Sequence, residues 1–265
     1  MSALPHGETP KSWPKGVKRR TRAFATQDQT SQSQNLTPTE VDEYLNSKVL
    51  PSQYGGDPIF ARIQKRADEA GLPTISVSPQ QGQFLAVLAL SIKAERVLEV
   101  GTLAGYSTVF LAKALPSHGQ IDTLELDPQH AKVAQENFLN ADLYPFPKIH
   151  IGPAIDTLKK LQVPAEGAYD LIFIDADKAS TLKYFLEGLR LLRKGGVVVV
   201  DNVVRSGRVA LSEEDEDDSD VKGVRALFDW IEKDNGKTVL ASVTQTVGSK
   251  SWDGFALITK LNDDN

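Results

Sequence analysis

The sequence predicts an α/β fold built on a doubly wound, mostly parallel sheet, and three features carry that expectation. From Arg96 onward, short β-branched runs alternate with helical segments, the pattern of a parallel sheet covered on both faces. Glycines follow the first and third runs, at Gly101 and Gly152, where a strand must turn sharply towards a helix. The last two runs are joined by a Gly/Ser-rich turn short enough for an antiparallel hairpin.

The elements follow in order. Residues 1–35 carry six basic residues, two acids, three prolines and a Gln/Ser/Thr run, a composition without a packable face. They are expected to form a disordered basic tail. A transit peptide fits loosely, although the prolines interrupt any amphipathic helix. Order is expected from residue 36 to residue 265 as one domain. Thr37, Pro38 and Glu40 offer a capping hydroxyl, a first-turn proline and an early acid for a helix over 38–50. Helical spacing continues at 59–70, ending at Gly71, and at 79–92. Strands are then predicted at 97–100, 120–126, 148–151, 169–175 and 197–201, with helices near 106–115, 128–141, 153–162 and 179–193 between them. A helix over 221–233 and strands at 238–247 and 255–260 complete the chain. The run 213–220 holds seven acids in eight residues and reads as a solvated loop, or as a border to an active-site mouth.

Composition narrows the function. The 265 residues, 40% hydrophobic and 25% charged, suffice for one core. Thirty Lys and Arg against 35 Asp and Glu give a net charge of −5, so no nucleic-acid partner is expected. The lack of cysteine excludes disulfides, thiolate metal sites and cysteine nucleophiles. The apolar stretch from Phe84 to Ile92 is far short of the roughly 20 residues that cross a bilayer. A soluble, cytoplasmic chain with no membrane partner is therefore expected.

The chemistry gathers at strand ends. Glu99 to Ser107 runs from the first strand through Gly101 and Gly105 into a helix whose first N–H groups are unsatisfied, a setting for a nucleotide-like ligand. The spacing is not that of a dinucleotide fingerprint. The second strand ends in Glu125, Leu126 and Asp127; Glu125 is the candidate to accept from ribose hydroxyls, while Asp127, ahead of Pro128, suits a helix cap. With an adenosyl ligand, Glu99 would accept from an ammonium, Ser107 would donate to a carboxylate, and 152–154 would lie along the base. Asp175, Asp201 and Asn202 end the fourth and fifth strands, and hard oxygen donors of this kind suit Mg²⁺, Mn²⁺ or Ca²⁺. Turn and cap roles are the plainer alternative for such residues.

Together these motifs resemble the class I, cation-dependent O-methyltransferases that use S-adenosylmethionine, of the caffeoyl-CoA and catechol type. The resemblance spans about Ser78 to Lys260 and adds 81–85 in the helix before the sheet, 175–178, and 207–209 after Asn202. It implies a Rossmann-like methyltransferase fold, a seven-stranded sheet with a terminal antiparallel hairpin. By position it assigns Val77, Glu99, Gly101, Ser107, Glu125, Ala154 and Asp177 to the methyl donor. It makes Asp175, Asp201 and Asn202 the metal ligands, and Lys178 the residue that deprotonates or steers the acceptor hydroxyl, with Asp175 beside it. A small aromatic acceptor with vicinal hydroxyls and a homodimer are implied as partners. Two departures stand out: Val203, Val204, Arg205 and Ser206 occur where many relatives carry an aromatic residue, and Gln80 and Gln81 precede Gly82 where relatives often hold an acid.

Rival readings fare worse. A short-chain NAD(P)-dependent oxidoreductase needs Tyr-x-x-x-Lys on a late helix, but Tyr44 and Lys48 precede the sheet, and prolines break the Tyr144–Lys148 spacing. A catalytically silent S-adenosylmethionine-binding protein has no need of Asp175, Lys178, Asp201 and Asn202 together. A metal-independent methyltransferase would keep its activity after chelation. The four scattered histidines give no hydrolase motif.

Overall fold

The computed structural model describes residues 36–50, 56–144, 146–162, 168–212, 216–248 and 250–262. The expected tail, 1–35, and the first three acids of the acidic run, 213–215, lie outside the described residues.

Among the described residues, three helices precede the sheet. In α1 (Pro38–Val49), the Thr37 hydroxyl accepts from the Glu40 N–H while the Glu40 carboxylate accepts from the Thr37 N–H, a reciprocal capping box. Helix α2 (Pro58–Glu69) is capped by Asp57 and buries Ile59, Phe60, Ile63 and Ala67. Helix α3 (Pro79–Ser91) has a second capping box, formed by Ser78 and Gln81, and packs so closely on its neighbour that a Cβ at Gly82 would stand 2.4 Å from the Phe110 ring.

Seven strands follow: β1 (Arg96–Val100), β2 (Gln120–Glu125), β3 (Lys148–Ile151), β4 (Tyr169–Ile174), β5 (Leu192–Asp201), β6 (Val239–Val247) and β7 (Trp252–Lys260). They form one sheet in the order β3-β2-β1-β4-β5-β7-β6, parallel from β3 to β5 and antiparallel at β7 and β6. The crossovers are α4 (Tyr106–Ala114), α5 (Pro128–Asn140), α6 (Ala154–Lys160), α7 (Thr181–Leu191) and α8 (Ser219–Asp234). Alternation along the strands divides the core between the two faces. Val97, Leu171, Phe173, Val197 and Val199 pack towards α2 to α5, while Leu98, Val100, Ile172, Ile174, Val198 and Val200 pack towards α7 and α8. Both faces are covered, which is why the run 197–200 is four consecutive valines.

Three elements differ from the sequence expectation. Strand β5 starts at Leu192 instead of 197, because Leu192 pairs with Tyr169 ahead of a register shift, with Gly195 at φ +73° taking the irregular step. The expected helix over 179–193 is a 3₁₀ turn, Lys178–Ser180, leading into α7. Strand β7 starts at Trp252 instead of 255, since Val247 and Trp252 close the hairpin ladder.

Candidate functional site

The strand order reverses between β1 and β4, and ligands of such sheets bind outside the carboxyl ends of the strands near that point. A cavity of about 640 Å³ lies there. Its wall is built from the ends of all five parallel strands: Gly101, Thr102 and Leu103 after β1, Glu125 and Leu126 at β2, Pro153 and Ala154 after β3, Asp175 to Lys178 after β4, and Asn202 and Arg205 after β5. Val77, Ser107, His130, Tyr184 and Asp220 also line it.

The β1 turn is held tightly. Gly101 has φ +104°, its N–H donates to the Leu124 carbonyl, and a Cβ there would stand 2.2 Å from the Asp175 carbonyl oxygen. Glu125 grips the same turn from β2: one oxygen accepts from the Thr102 and Leu103 N–H groups at 3.2 and 2.7 Å, and the other from Asp127 N–H at 2.9 Å. The His130 Nδ1 stands 3.4 Å from that second oxygen. Most acceptor positions of Glu125 are thus filled by the protein, although the residue remains on the cavity wall. Asp127 caps α5, as its place before Pro128 suggested.

Glu99 and Ser107 are joined by a hydrogen bond beside the turn. Glu99 is fully buried behind the turn and contributes nothing to the wall. Its carboxylate accepts from the hydroxyls of Ser107 at 2.6 Å, Thr123 at 2.6 Å and Thr108. The Ser107 hydroxyl is engaged by Glu99, and its residue lines the cavity. Burial pushes Glu99 up to about 7, against the three hydroxyls that lower it. The unfolded carboxyl ionises near 4.5, so the folded state keeps a proton that the unfolded state has lost between pH 4.5 and about 7. The contribution of this one carboxyl to stability therefore falls across that window, by on the order of 3 kcal/mol, and is constant above it. Glu99→Gln should flatten this fall in urea unfolding at pH 5 and pH 8; an unchanged difference between the two pH values would refute the assignment.

On the β4 side, Lys178 Nζ donates to Asp175 Oδ1 at 2.7 Å in a largely buried pair. Asp177 accepts from the Ser180 N–H at 3.0 Å and from the Tyr184 hydroxyl, and Tyr184 is pushed up to about 12 by burial and by this carboxylate. On the β5 side, Asn202 reaches the wall with φ +57°, while Asp201 sits behind it, 5% exposed. Asp201 accepts from Gln81 Nε2 at 3.3 and 3.4 Å and from the Asn202 N–H at 2.8 Å. Gln81, whose Oε1 is fixed by the Ser78 N–H, thus aims an amide at Asp201. Burial first, and then the charge of Asp175, pushes Asp201 up to about 7. Desolvation lowers Lys250 in the β6–β7 turn, an effect that Asp175 and Asp201 oppose.

The donor chemistry of Asp175, Asp201 and Asn202 fits a hard divalent ion: three oxygens, two of them carboxylates close enough to disfavour joint ionisation. Among the described residues, no group of three or more His, Cys, Asp or Glu side chains is placed to hold a metal ion.

Sequence reasoning did not single out several supporting residues. Asp253 Oδ1 accepts from the N–H groups of Val204, Arg205 and Gly254 at 2.9, 2.9 and 3.0 Å, pinning a turn in which Arg205, Ser206 and Gly207 all have positive φ. Tyr184 lies two helical turns beyond Asp177, a spacing that could have flagged it. The acidic run is not simply solvated: Glu216 and Asp218 pair with Arg208, Asp217 with Lys222, Asp218 caps α8, and Asp220 pairs with Arg205 at the cavity wall.

Comparison with known proteins follows this geometry. The model of the O-methyltransferase family matches residues 52–257. A catechol O-methyltransferase of Mycobacterium tuberculosis is 43% identical over 224 residues, covering 84% of this chain and 96% of that one. A catechol O-methyltransferase of Niastella koreensis is 44% identical over 217 residues, covering 82% and 95%. The structure of a Streptomyces achromogenes O-methyltransferase involved in tomaymycin synthesis, in complex with SAM, aligns with a TM-score of 0.79 and 36% identity, covering 85% of this chain and 97% of that one.

Proposed function

The chain belongs to the O-methyltransferase family, and from that premise we propose that it transfers a methyl group from S-adenosylmethionine, with a divalent cation, to a hydroxyl of a small aromatic carrying vicinal hydroxyls. One observation carries the reading: the glycine turn and Glu125 on one side, and Asp175, Lys178 and Asn202 on the other, share one cavity. The catechol O-methyltransferase relatives and the SAM complex of a neighbour support the acceptor class and the donor.

S-adenosylmethionine supplies an electrophilic methyl on a sulfonium, which an acceptor oxygen takes by in-line displacement as the neutral thioether leaves. Val77, Gly101, Glu125, Ala154 and Asp177 would hold it, with Ser107 beside them and Glu99 bracing the turn from behind. Asp175, Asp201 and Asn202 would hold the divalent ion, whose charge would lower the pKa of a phenol from its unassisted value near 10. Lys178 sits against Asp175, where its ammonium can stabilise a phenolate or, once deprotonated, accept the hydroxyl proton. Orientation of acceptor against methyl can contribute several kcal/mol more.

Helix α1 buries none of its residues and exposes Val41, Tyr44, Leu45 and Val49, which supports a homodimer formed through the helices before the sheet. No helix among the described residues is long and apolar enough to cross a membrane. The test is methyl transfer from S-adenosylmethionine to a catechol panel with Mg²⁺, with Mn²⁺ and with excess chelator. Turnover that chelation removes and metal restores is expected. Turnover that survives chelation would sink the metal dependence, and absence of donor binding would sink the donor assignment.

A further inference from the structure

We propose that Arg205 forms a carboxylate-binding subsite in the acceptor half of the cavity, so that the preferred acceptor is a vicinal-hydroxyl aromatic bearing a carboxylate. The proposal rests on the O-methyltransferase reading above. Arg205 lies three residues after Asn202 and lines the same cavity as Asn202, Asp175 and Lys178. Its position is fixed by the backbone: the turn is left-handed at Arg205 and Ser206, and the Asp253 carboxylate holds the Arg205 N–H. A side chain set out on a strained, pinned turn is placed for a contact there.

The guanidinium is only partly used. One terminal nitrogen donates to Asp220 Oδ2 at 3.2 Å, while Nε is buried without a hydrogen-bond partner. Guanidinium matches a carboxylate through two parallel N–H donors, and an incoming carboxylate offers two acceptors where Asp220 now takes one donor.

The surrounding charges leave room for such an anion. The other described acids of the 216–220 run are matched by Arg208 and Lys222, so Arg205 is not required for them. On the wall itself, Asp175 is engaged by Lys178, and Asp177 by Tyr184 and the Ser180 N–H. Asp220 is the internal anion that an acceptor carboxylate would displace, and its place in the first turn of α8 leaves it a favourable helix terminus once displaced.

The experiment compares kcat/KM for 3,4-dihydroxybenzoate, neutral catechol and 3,4-dihydroxyphenethylamine in the wild type, Arg205→Met, Arg205→Lys, Asp220→Asn and the Met/Asn double variant. The wild type should prefer the carboxylate. Arg205→Met should lower the carboxylate-to-catechol ratio by about tenfold or more, the scale of a lost charge-assisted hydrogen-bonded pair, and Arg205→Lys should restore part of it. Asp220→Asn should lower KM for the carboxylate several-fold, and that gain should vanish in the double variant. If Arg205→Met folds poorly, the Asp220→Asn result decides alone, since a purely structural ion pair would raise KM. A ratio unmoved by Arg205→Met, or a wild-type preference for the amine, would overturn the subsite while leaving the methyltransferase reading intact. Failure of the wild type to methylate any of the three would overturn both.

Discussion

Asp175→Ala is expected to reduce metal-supported methyl transfer by about 10³-fold or more, while donor affinity falls by no more than about tenfold. The asymmetry follows from the side chain's place. Asp175 pairs with Lys178 on the cavity wall, whereas the turn that would hold the donor is gripped by Glu125 from β2. Asp201→Ala should act in the same direction. It also removes the acceptor for Gln81 and the Asn202 N–H, so the left-handed Asn202 loses its tether. Isothermal titration of S-adenosylmethionine beside turnover assays separates the two effects. Equal losses of donor affinity and turnover would show that these carboxylates serve the donor instead.

Gly101→Ala should be strongly destabilising, because it combines a backbone clash with a left-handed φ. The new Cβ would meet the Asp175 carbonyl oxygen at 2.2 Å and its carbonyl carbon at 2.8 Å, and the residue would be held at φ +104°. Neither neighbour can yield, because the Asp175 N–H donates to the Val100 carbonyl at 2.8 Å and the Gly101 N–H to the Leu124 carbonyl at 3.0 Å. Strain and overpacking together amount to about 2–5 kcal/mol. Gly152→Ala is the internal control: φ is +131° but nothing lies within 4 Å of the added carbon, so only backbone strain of about 1–3 kcal/mol remains. Urea midpoints for the two variants test this. Similar values would mean that the β1–β4 contact is softer than described.

Much of the fold was legible because its signals are local. The β-branched runs, the glycine turns, the Thr37 capping box and the Asp127 cap each depend on residues within a few positions of one another. Asp175, Lys178, Asn202, Gly101 and Glu125 could be brought to one edge by a general property of parallel sheets. What stayed hidden depends on register and depth. The hydroxyls of Thr108 and Thr123 that saturate Glu99 come from α4 and from the neighbouring strand. Whether Glu99 faces the cavity or stands behind it is decided by that packing and by no motif. The extension of β5 to Leu192 needed its pairing with Tyr169, and the pairing of the acids in 216–220 needed the turn that brings Arg205 and Arg208 back to them.

The clamp supplied by Asp253 bears on the order of synthesis. Strand β7 lies between β5 and β6, and its Asp253 secures the turn that carries Arg205 and follows Asn202. Every wall-lining residue, Asp220 included, precedes β7 in the chain, so a ribosome delivers all of them before β7 emerges. The parallel half of the sheet can form first, but the turn that carries Arg205 acquires its clamp only when a late strand inserts between two earlier ones.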